Sequence, residues 1–210
     1  MVVITAFGDE SKLEIVEGDL PDPAPGEVLL FVEYSIVCGS DVSMRRGTYP
    51  FQKKSSLSPG YSVIGKVSLN GNGCSRFKIG DRLSSLTKYD GQAELISLPE
   101  KYPIPVPEGV DPKAAVALVL DWGTAYELLR PAAHIKAGDR IFVHALSGAV
   151  GGAMLRLGQL QGAQVFGTAS PKKHEELRKL GTVPFDYSNK DWTAAIQKLG
   201  GVDAAFDPLG

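Results

Sequence analysis

The residues whose types and spacing best suit chemistry lie in Ala145-Leu-Ser-Gly-Ala-Val-Gly-Gly-Ala153. Arg140 to Leu146 is a short apolar run rich in β-formers; it stops at Ser147-Gly148, and Val150, Met154, Leu155 and Leu157 then return at helical spacing. This reads as a strand over 140–146, a tight glycine turn and a helix. Such a turn lets N–H groups at the helix start approach an anion with no Cβ in the way, and the helix dipole favours negative charge there. A dinucleotide pyrophosphate suits that geometry. The spacing is Ala145-x-x-Gly148-x-x-Gly151, so alanine stands where the dinucleotide fingerprint has its first glycine. Context strengthens the pattern: a second strand, Gln164 to Ser170, follows after Gln161-Gly162 and completes a βαβ unit. A glycine-rich turn in some other α/β protein is the competing reading.

The same unit carries a hint of which dinucleotide. NAD sites place an Asp or Glu about 20 residues beyond the glycine turn, where it holds the ribose 2′-hydroxyl and would repel a 2′-phosphate. Here the second strand ends Thr168-Ala-Ser170 with no acid, and Lys172 and Lys173 follow. Ser170 offers a hydrogen bond and the lysines offer charge-assisted ones, which favours NADPH. A pair of solvated lysines opening a surface helix is the plainer alternative.

The elements that must position these residues change character near residue 120. Before it run short β-rich stretches: Glu14-Ile-Val16, Glu27 to Glu33, Tyr61 to Leu69, Asp81 to Ser85 and Ala93 to Ser97. Turn formers connect them, as in Pro21-Asp-Pro-Ala-Pro-Gly26, Asn70-Gly-Asn-Gly73 and Lys78-Ile-Gly-Asp81, so an all-β, barrel-like first part is expected. After Asp111-Pro112 the pattern turns helical through 114–120 and 122–129. From Ile141 strands and helices alternate: a helix over 172–180 closed by Gly181, a strand over 184–187, a helix over 192–199 closed by Gly200-Gly201, and a strand over 202–206 before Asp207-Pro-Leu-Gly210. Four strands are expected in this second part, whereas a complete dinucleotide-binding sheet has six. The chain is therefore expected to be natively short or a fragment.

Composition narrows the class. The 22 basic and 24 acidic residues nearly cancel and no basic stripe stands out, which argues against nucleic acid and anionic membranes. With no signal-like start, no apolar stretch long enough to span a bilayer, and only Cys38 and Cys74, a cytoplasmic protein in a reducing compartment is expected.

Together these segments resemble the medium-chain dehydrogenase/reductase superfamily, in particular its zinc-independent, quinone oxidoreductase-like branch. The resemblance is carried by Pro25-Gly-Glu-Val28, Cys38-Gly-Ser-Asp41, Pro59-Gly-Tyr-Ser-Val-Ile-Gly65, Phe77-Lys-Ile-Gly-Asp-Arg82, Thr124-Ala125, Ala137-Gly-Asp139, Ser147-Gly-Ala-Val-Gly151 and Gly167-Thr-Ala-Ser170, in the family's order. It implies a GroES-like β domain over 1–120, then an incomplete Rossmann domain, a doubly wound parallel sheet, over 121–210. It also implies NADPH as cofactor, a quinone or carbonyl-conjugated small-molecule substrate, and a homodimer that the missing C-terminal portion puts in question.

The zinc-dependent branch supplies a Cys where Cys38 stands and a His-Glu pair after Pro-Gly. Here that pair is Tyr61-Ser62, a phenol and a hydroxyl that are poor zinc ligands, and His134, His144 and His174 have no metal-ligand spacing. No metal is expected, and Cys38 reads as a small residue near the cofactor. Cys74 reads as packing in a turn.

The resemblance places Thr124 beside the nicotinamide and Tyr187 near the 2′-phosphate. The glycine turn contributes Ser147, Gly148, Ala149, Val150 and Gly151, and the strand tip Ser170, Lys172 and Lys173. The segment after Cys38 lines the family's substrate pocket, so Asp41 and Tyr49 are the catalytic candidates, with Tyr49 orienting an oxygen or delivering a proton and Asp41 read first as a helix or turn acceptor. The expected activity is a zinc-free, NADPH-dependent reduction of a quinone or α,β-unsaturated carbonyl compound. Two alternatives stand beside it: a shortened non-catalytic relative serving as a binding or regulatory protein, and an enoyl reductase acting in trans on carrier-bound chains.

Overall fold

The computed structural model describes residues 1–19 and 22–208; Pro21 of the expected connector and Leu209-Gly210 of the expected C-terminal segment lie outside the described residues. The chain divides into two compact units, Met1–Leu120 and Asp121–Gly210.

In the first unit β1 (Val2–Ile4) pairs antiparallel with β2 (Leu13–Ile15). The strands β3 (Glu27–Ser35), β4 (Ser62–Asn70), β5 (Arg82–Leu86), β6 (Leu95–Pro99) and β7 (Ile104–Pro105) form an antiparallel sheet in the order β6-β3-β4-β5-β7. The register is set by what each face buries. Val28 and Leu30 of β3, Val63 and Val67 of β4, Leu83 of β5, and Ile96 and Leu98 of β6 alternate inward with Phe77 to make one cluster. Each such side chain contributes about 1.5–3 kcal/mol on burial.

One helix corrects the all-β expectation, while a second is the helix expected over 114–120. Helix α1 (Gly39–Arg46) lies between β3 and β4, and α2 (Pro112–Val119) packs Ala115 and Val116 against Ile64 of β4. Asp111 caps α2, its side chain accepting from the Lys113 N–H at 3.2 Å, with Pro112 in the first turn. Helix α1 is bounded by the Asp41 carboxylate, which accepts the Cys38 N–H at 2.8 Å, and by a left-handed Gly47, but its interior is weakly helical. Gly39-Ser-Asp-Val-Ser is a poor helix former, and burial of Asp41 and Met44 holds it instead.

The second unit opens with α3 (Asp121–Glu127) and a π-helical turn over Leu128–Ala132. There follow β8 (Arg140–Val143), α4 (Ala149–Leu160), β9 (Gln164–Ala169), α5 (His174–Lys179), β10 (Val183–Asp186), α6 (Trp192–Lys198) and β11 (Ala204–Phe206). The four strands are parallel in the order β10-β9-β8-β11. Both faces of the central strands are covered, which explains their nearly continuous apolar sequence. Ile141, Val143 and Val165 pack with Met154 and Leu155 of α4, while Phe142 and Phe166 pack with Ile196 of α6 on the other face. Among the described residues no helix is long and apolar enough to cross a membrane.

Candidate functional site

In the second unit, β8 ends at Val143, so His144, Ala145 and Leu146 belong to the turn and not to the strand expected over 140–146. The reason is Ala145, which adopts φ +50°, a left-handed conformation that breaks the ladder. Thr168 of β9 holds this turn: its hydroxyl oxygen accepts the Ala145 N–H at 3.2 Å and bonds His144 Nδ1 at 3.0 Å, and its carbonyl accepts the Leu146 N–H at 2.8 Å. Gly148 then caps α4 without a side chain. A Cβ on Gly151 would strike the Ala145 carbonyl, and one on Gly167 would strike the carbonyl of Val143, so both glycines are required by close approach.

The result is a helix start with unused donors. The N–H groups of Ala149, Val150 and Gly151 meet no backbone acceptor among the described residues, and Ser147, Gly148 and Ala149 are exposed. Gly151 itself is buried, so it acts through its missing side chain. A diphosphate fits such a cradle.

The neighbouring strand end lies alongside. Ala169 of β9 is in register with Asp186 of β10, so Ser170 and Tyr187 are the next residues of adjacent parallel strands. The Ser170 hydroxyl makes no capping bond to the 3-10 turn Pro171–Lys173, and Tyr187 is 63% exposed. Lys173 pairs with Glu176 at 2.9 Å, whereas Lys172 makes no ion pair among the described residues. Two residues escaped sequence reasoning here. His174 places Nε2 3.1 Å from the Ala169 carbonyl, closing the strand end, and the Asp186 carboxylate turns to the Ser188 hydroxyl and N–H at 2.7 and 2.9 Å. Those bonds, the hydroxyl's first, hold the Asp186 carboxyl below the usual range. Thr124 is an exposed residue of α3.

In the first unit, Cys38 is the N-cap residue of α1, and its N–H donates to Asp41 Oδ2 at 2.8 Å. Asp41 Oδ1 accepts the Gly60 N–H at 2.9 Å. Both oxygens of this buried carboxylate are thus engaged by backbone, and burial pushes its carboxyl up against the opposing pull of those bonds. Asp41 joins α1 to the turn before β4, the acceptor role read first from the sequence.

Tyr49, just beyond α1, donates its N–H to Gln52 Oε1 at 3.0 Å. Its hydroxyl lies 2.9 Å from that of Tyr61, and the rings meet edge to face at 6.1 Å. Tyr61 was singled out in the sequence only as an unsuitable zinc ligand; no local pattern pairs two loop tyrosines. Burial, then the Tyr49 hydrogen bond, pushes the Tyr61 phenol up to about 12. Cys74 sits in a turn with Sγ 3.2 Å from the Glu27 carbonyl. Among the described residues no group of three His, Cys, Asp or Glu side chains converges to hold a metal.

An antiparallel β unit followed by a parallel sheet with a glycine-turn helix start is the architecture of a GroES-like domain followed by part of a Rossmann domain. Residues 24–108 match the alcohol dehydrogenase GroES-like domain family. The chain is 35% identical over 215 residues to the synaptic vesicle membrane protein VAT-1 homolog of Rattus norvegicus, covering 100% of this chain and 53% of that protein. It is similar to the quinone oxidoreductase of Pseudomonas syringae pv. Tomato DC3000, at 29% identity and a TM-score of 0.88, over 95% of this chain and 62% of that one. It is also similar to a mycobacterial protein solved in complex with NADPH, at 28% identity and a TM-score of 0.90, over 100% of this chain and 66% of that one. The chain spans about half the length of the curated relatives it matches, 53% for the rat protein. Residues 24–108 thus carry a GroES-like domain, and over its whole length the chain is similar to the zinc-independent, quinone oxidoreductase-like branch of the medium-chain dehydrogenase/reductase superfamily.

Proposed function

We propose that the protein binds NADPH and reduces a quinone or an α,β-unsaturated carbonyl compound without a metal. The observation that carries this reading is a helix start with bare N–H groups beside a strand tip bearing Ser170 and Lys172 and no acid on that strand. A bound nicotinamide supplies hydride to the electron-poor carbon of the acceptor. The chain's residues bind, orient and hold a proton. Within the turn of 147–151 the unused N–H groups of Ala149, Val150 and Gly151 take the diphosphate, and Ser170, Lys172 and Tyr187 take the 2′-phosphate, with Lys173 secondary because Glu176 competes for it. Cys38 and Thr124 are assigned to the nicotinamide end on the family resemblance. Tyr49 is the proton donor to the reduced acceptor, and Asp41 holds the segment on which Tyr61 stands.

The test is oxidation of NADPH by the purified chain with a small quinone, with an enone and with a carrier-bound enoyl chain, NADH serving as control. The account predicts acceptor-dependent oxidation of NADPH by the quinone or the enone. NADPH binding with no turnover of any acceptor overturns the enzymatic reading and selects a binding protein. Turnover of the carrier-bound chain alone selects the trans-acting reductase.

A further inference from the structure

We propose that Tyr61 is a positioning residue for proton delivery by Tyr49, with the ammonium of Lys88 as the counter-charge of the pair. The proposal rests on the reductase reading for the reaction it serves, while the pair itself stands on geometry.

The two phenols are held rigidly. Ile4, Met44 and Leu57 form a buried cluster against which Tyr49, Tyr61 and Tyr89 all pack. The backbone of Tyr61 is pinned from two sides: the preceding Gly60 N–H goes to Asp41 at 2.9 Å, and the Tyr61 carbonyl accepts the N–H groups of Thr87 and Lys88 at 2.9 and 3.4 Å. Lys88 takes φ +68°, a conformation that L-residues rarely adopt. Its ammonium then lies over two rings, 5.6 Å from the centre of Tyr49 and 5.4 Å from that of Tyr89. Lys53 also lies over the Tyr89 ring, at 4.7 Å, and Asp41 is the carboxylate whose charge acts on Tyr61. A strained lysine, a buried carboxylate and three aromatic rings thus converge on one hydroxyl pair.

Between two hydroxyls one proton is shared and the other is left over. Either hydroxyl can donate across the 2.9 Å contact; in the proposed arrangement Tyr61 donates to the Tyr49 oxygen, which frees the Tyr49 proton to point elsewhere. An acceptor reduced by hydride from a bound nicotinamide would be left with a negative charge, which the Tyr49 proton neutralises. The Tyr49 O–H bond breaks and its proton passes to the acceptor. The phenolate left on Tyr49 keeps the Tyr61 hydrogen bond and the nearby Lys88 charge, and it regains a proton from water. Atoms and charge balance over the cycle, with one hydride and one proton added to the acceptor.

The test uses the full chain labelled with tyrosine ¹³Cζ, signals being assigned by single Tyr→Phe variants, alongside acceptor-dependent kinetics. In Tyr49→Phe the Tyr61 signal should titrate below its wild-type midpoint, because the partner hydroxyl is gone while the burial stays. In Tyr61→Phe, which keeps the ring, kcat should fall about tenfold with KM within about twofold, since only the proton-transfer step is touched. Lys88→Gln should lower kcat in the same direction and gives a second variant if Tyr61→Phe loses its fold. An unchanged Tyr61 midpoint in Tyr49→Phe overturns the pair whatever the activity. Unchanged kcat in both Tyr61→Phe and Lys88→Gln overturns its part in the reaction. A wild type that turns over no acceptor while the Tyr61 midpoint still moves defeats the reductase reading and upholds the pair.

Discussion

The carbonyl oxygen of Ala145 occupies the place that a Cβ on Gly151 would take. The turn after β8 is therefore in backbone contact with the first turn of α4, and that contact sets the free N–H groups of 149–151 at the end of the strand. Ala145 stands where the dinucleotide fingerprint has its first glycine, and it takes a left-handed backbone, at φ +50°.

Gly151→Ala should force the helix away from the turn. Overpacking of this kind costs about 1–3 kcal/mol, and for a chain of this size each kcal/mol lowers Tm by about 2–4 °C. The melting temperature should fall accordingly, and NADPH should no longer raise it. A variant that melts like the wild type and still responds to NADPH contradicts the packing argument.

Ala145→Gly should be neutral to slightly stabilising. Relief of the left-handed strain, about 1–2 kcal/mol, outweighs the extra chain entropy of glycine, about 0.4–1 kcal/mol. Ala145→Val should go the other way, because a β-branched side chain suits positive φ worse than alanine. Thermal melts of the three proteins should rank Gly at or above Ala, and Ala above Val.

The strands of the second unit were legible in the sequence because β8 and β9 are covered on both faces and read as apolar runs. The α4 stripe of Gly151, Met154, Leu155 and Gly158 was legible for the related reason that one helix face is buried. The end of β8 was misread because His144-Ala-Leu146 is as apolar as a strand, and only the tertiary bonds to Thr168 turn it. Helix α1 was hidden by low-propensity residues whose helicity comes from burying Met44 and Asp41. Of the site, the glycine turn and the acid-free strand tip are local patterns, whereas the Tyr49–Tyr61 contact joins two loops and leaves no periodic trace.

The two lysines after β9 should differ. Lys172→Ala should weaken NADPH binding about tenfold and leave NADH binding unchanged, the loss expected for one charge-assisted bond at an exposed site. Lys173→Ala should cost less than about threefold, because its ammonium is already paired with Glu176. Titration calorimetry with both cofactors reads this ranking; equal losses at the two positions, or equal losses for NADPH and NADH, contradict it.

Alkaline stability should report Tyr61. Its phenol stays protonated to about 12 in the folded chain but ionises near 10.0 when unfolded. The unfolded state thus releases its proton first, and this contribution to stability is present below the lower value and lost as pH rises through the upper one. Tyr61→Phe should lose less stability over that interval than the wild type in denaturant melts. Parallel curves contradict the assignment.

The most direct test of the account is the pair of dissociation constants for NADPH and NADH, measured on the wild-type chain in one buffer. The account predicts NADPH binding about tenfold or more tighter than NADH, the difference carried by the 2′-phosphate. Equal affinities, or binding of neither, would contradict it.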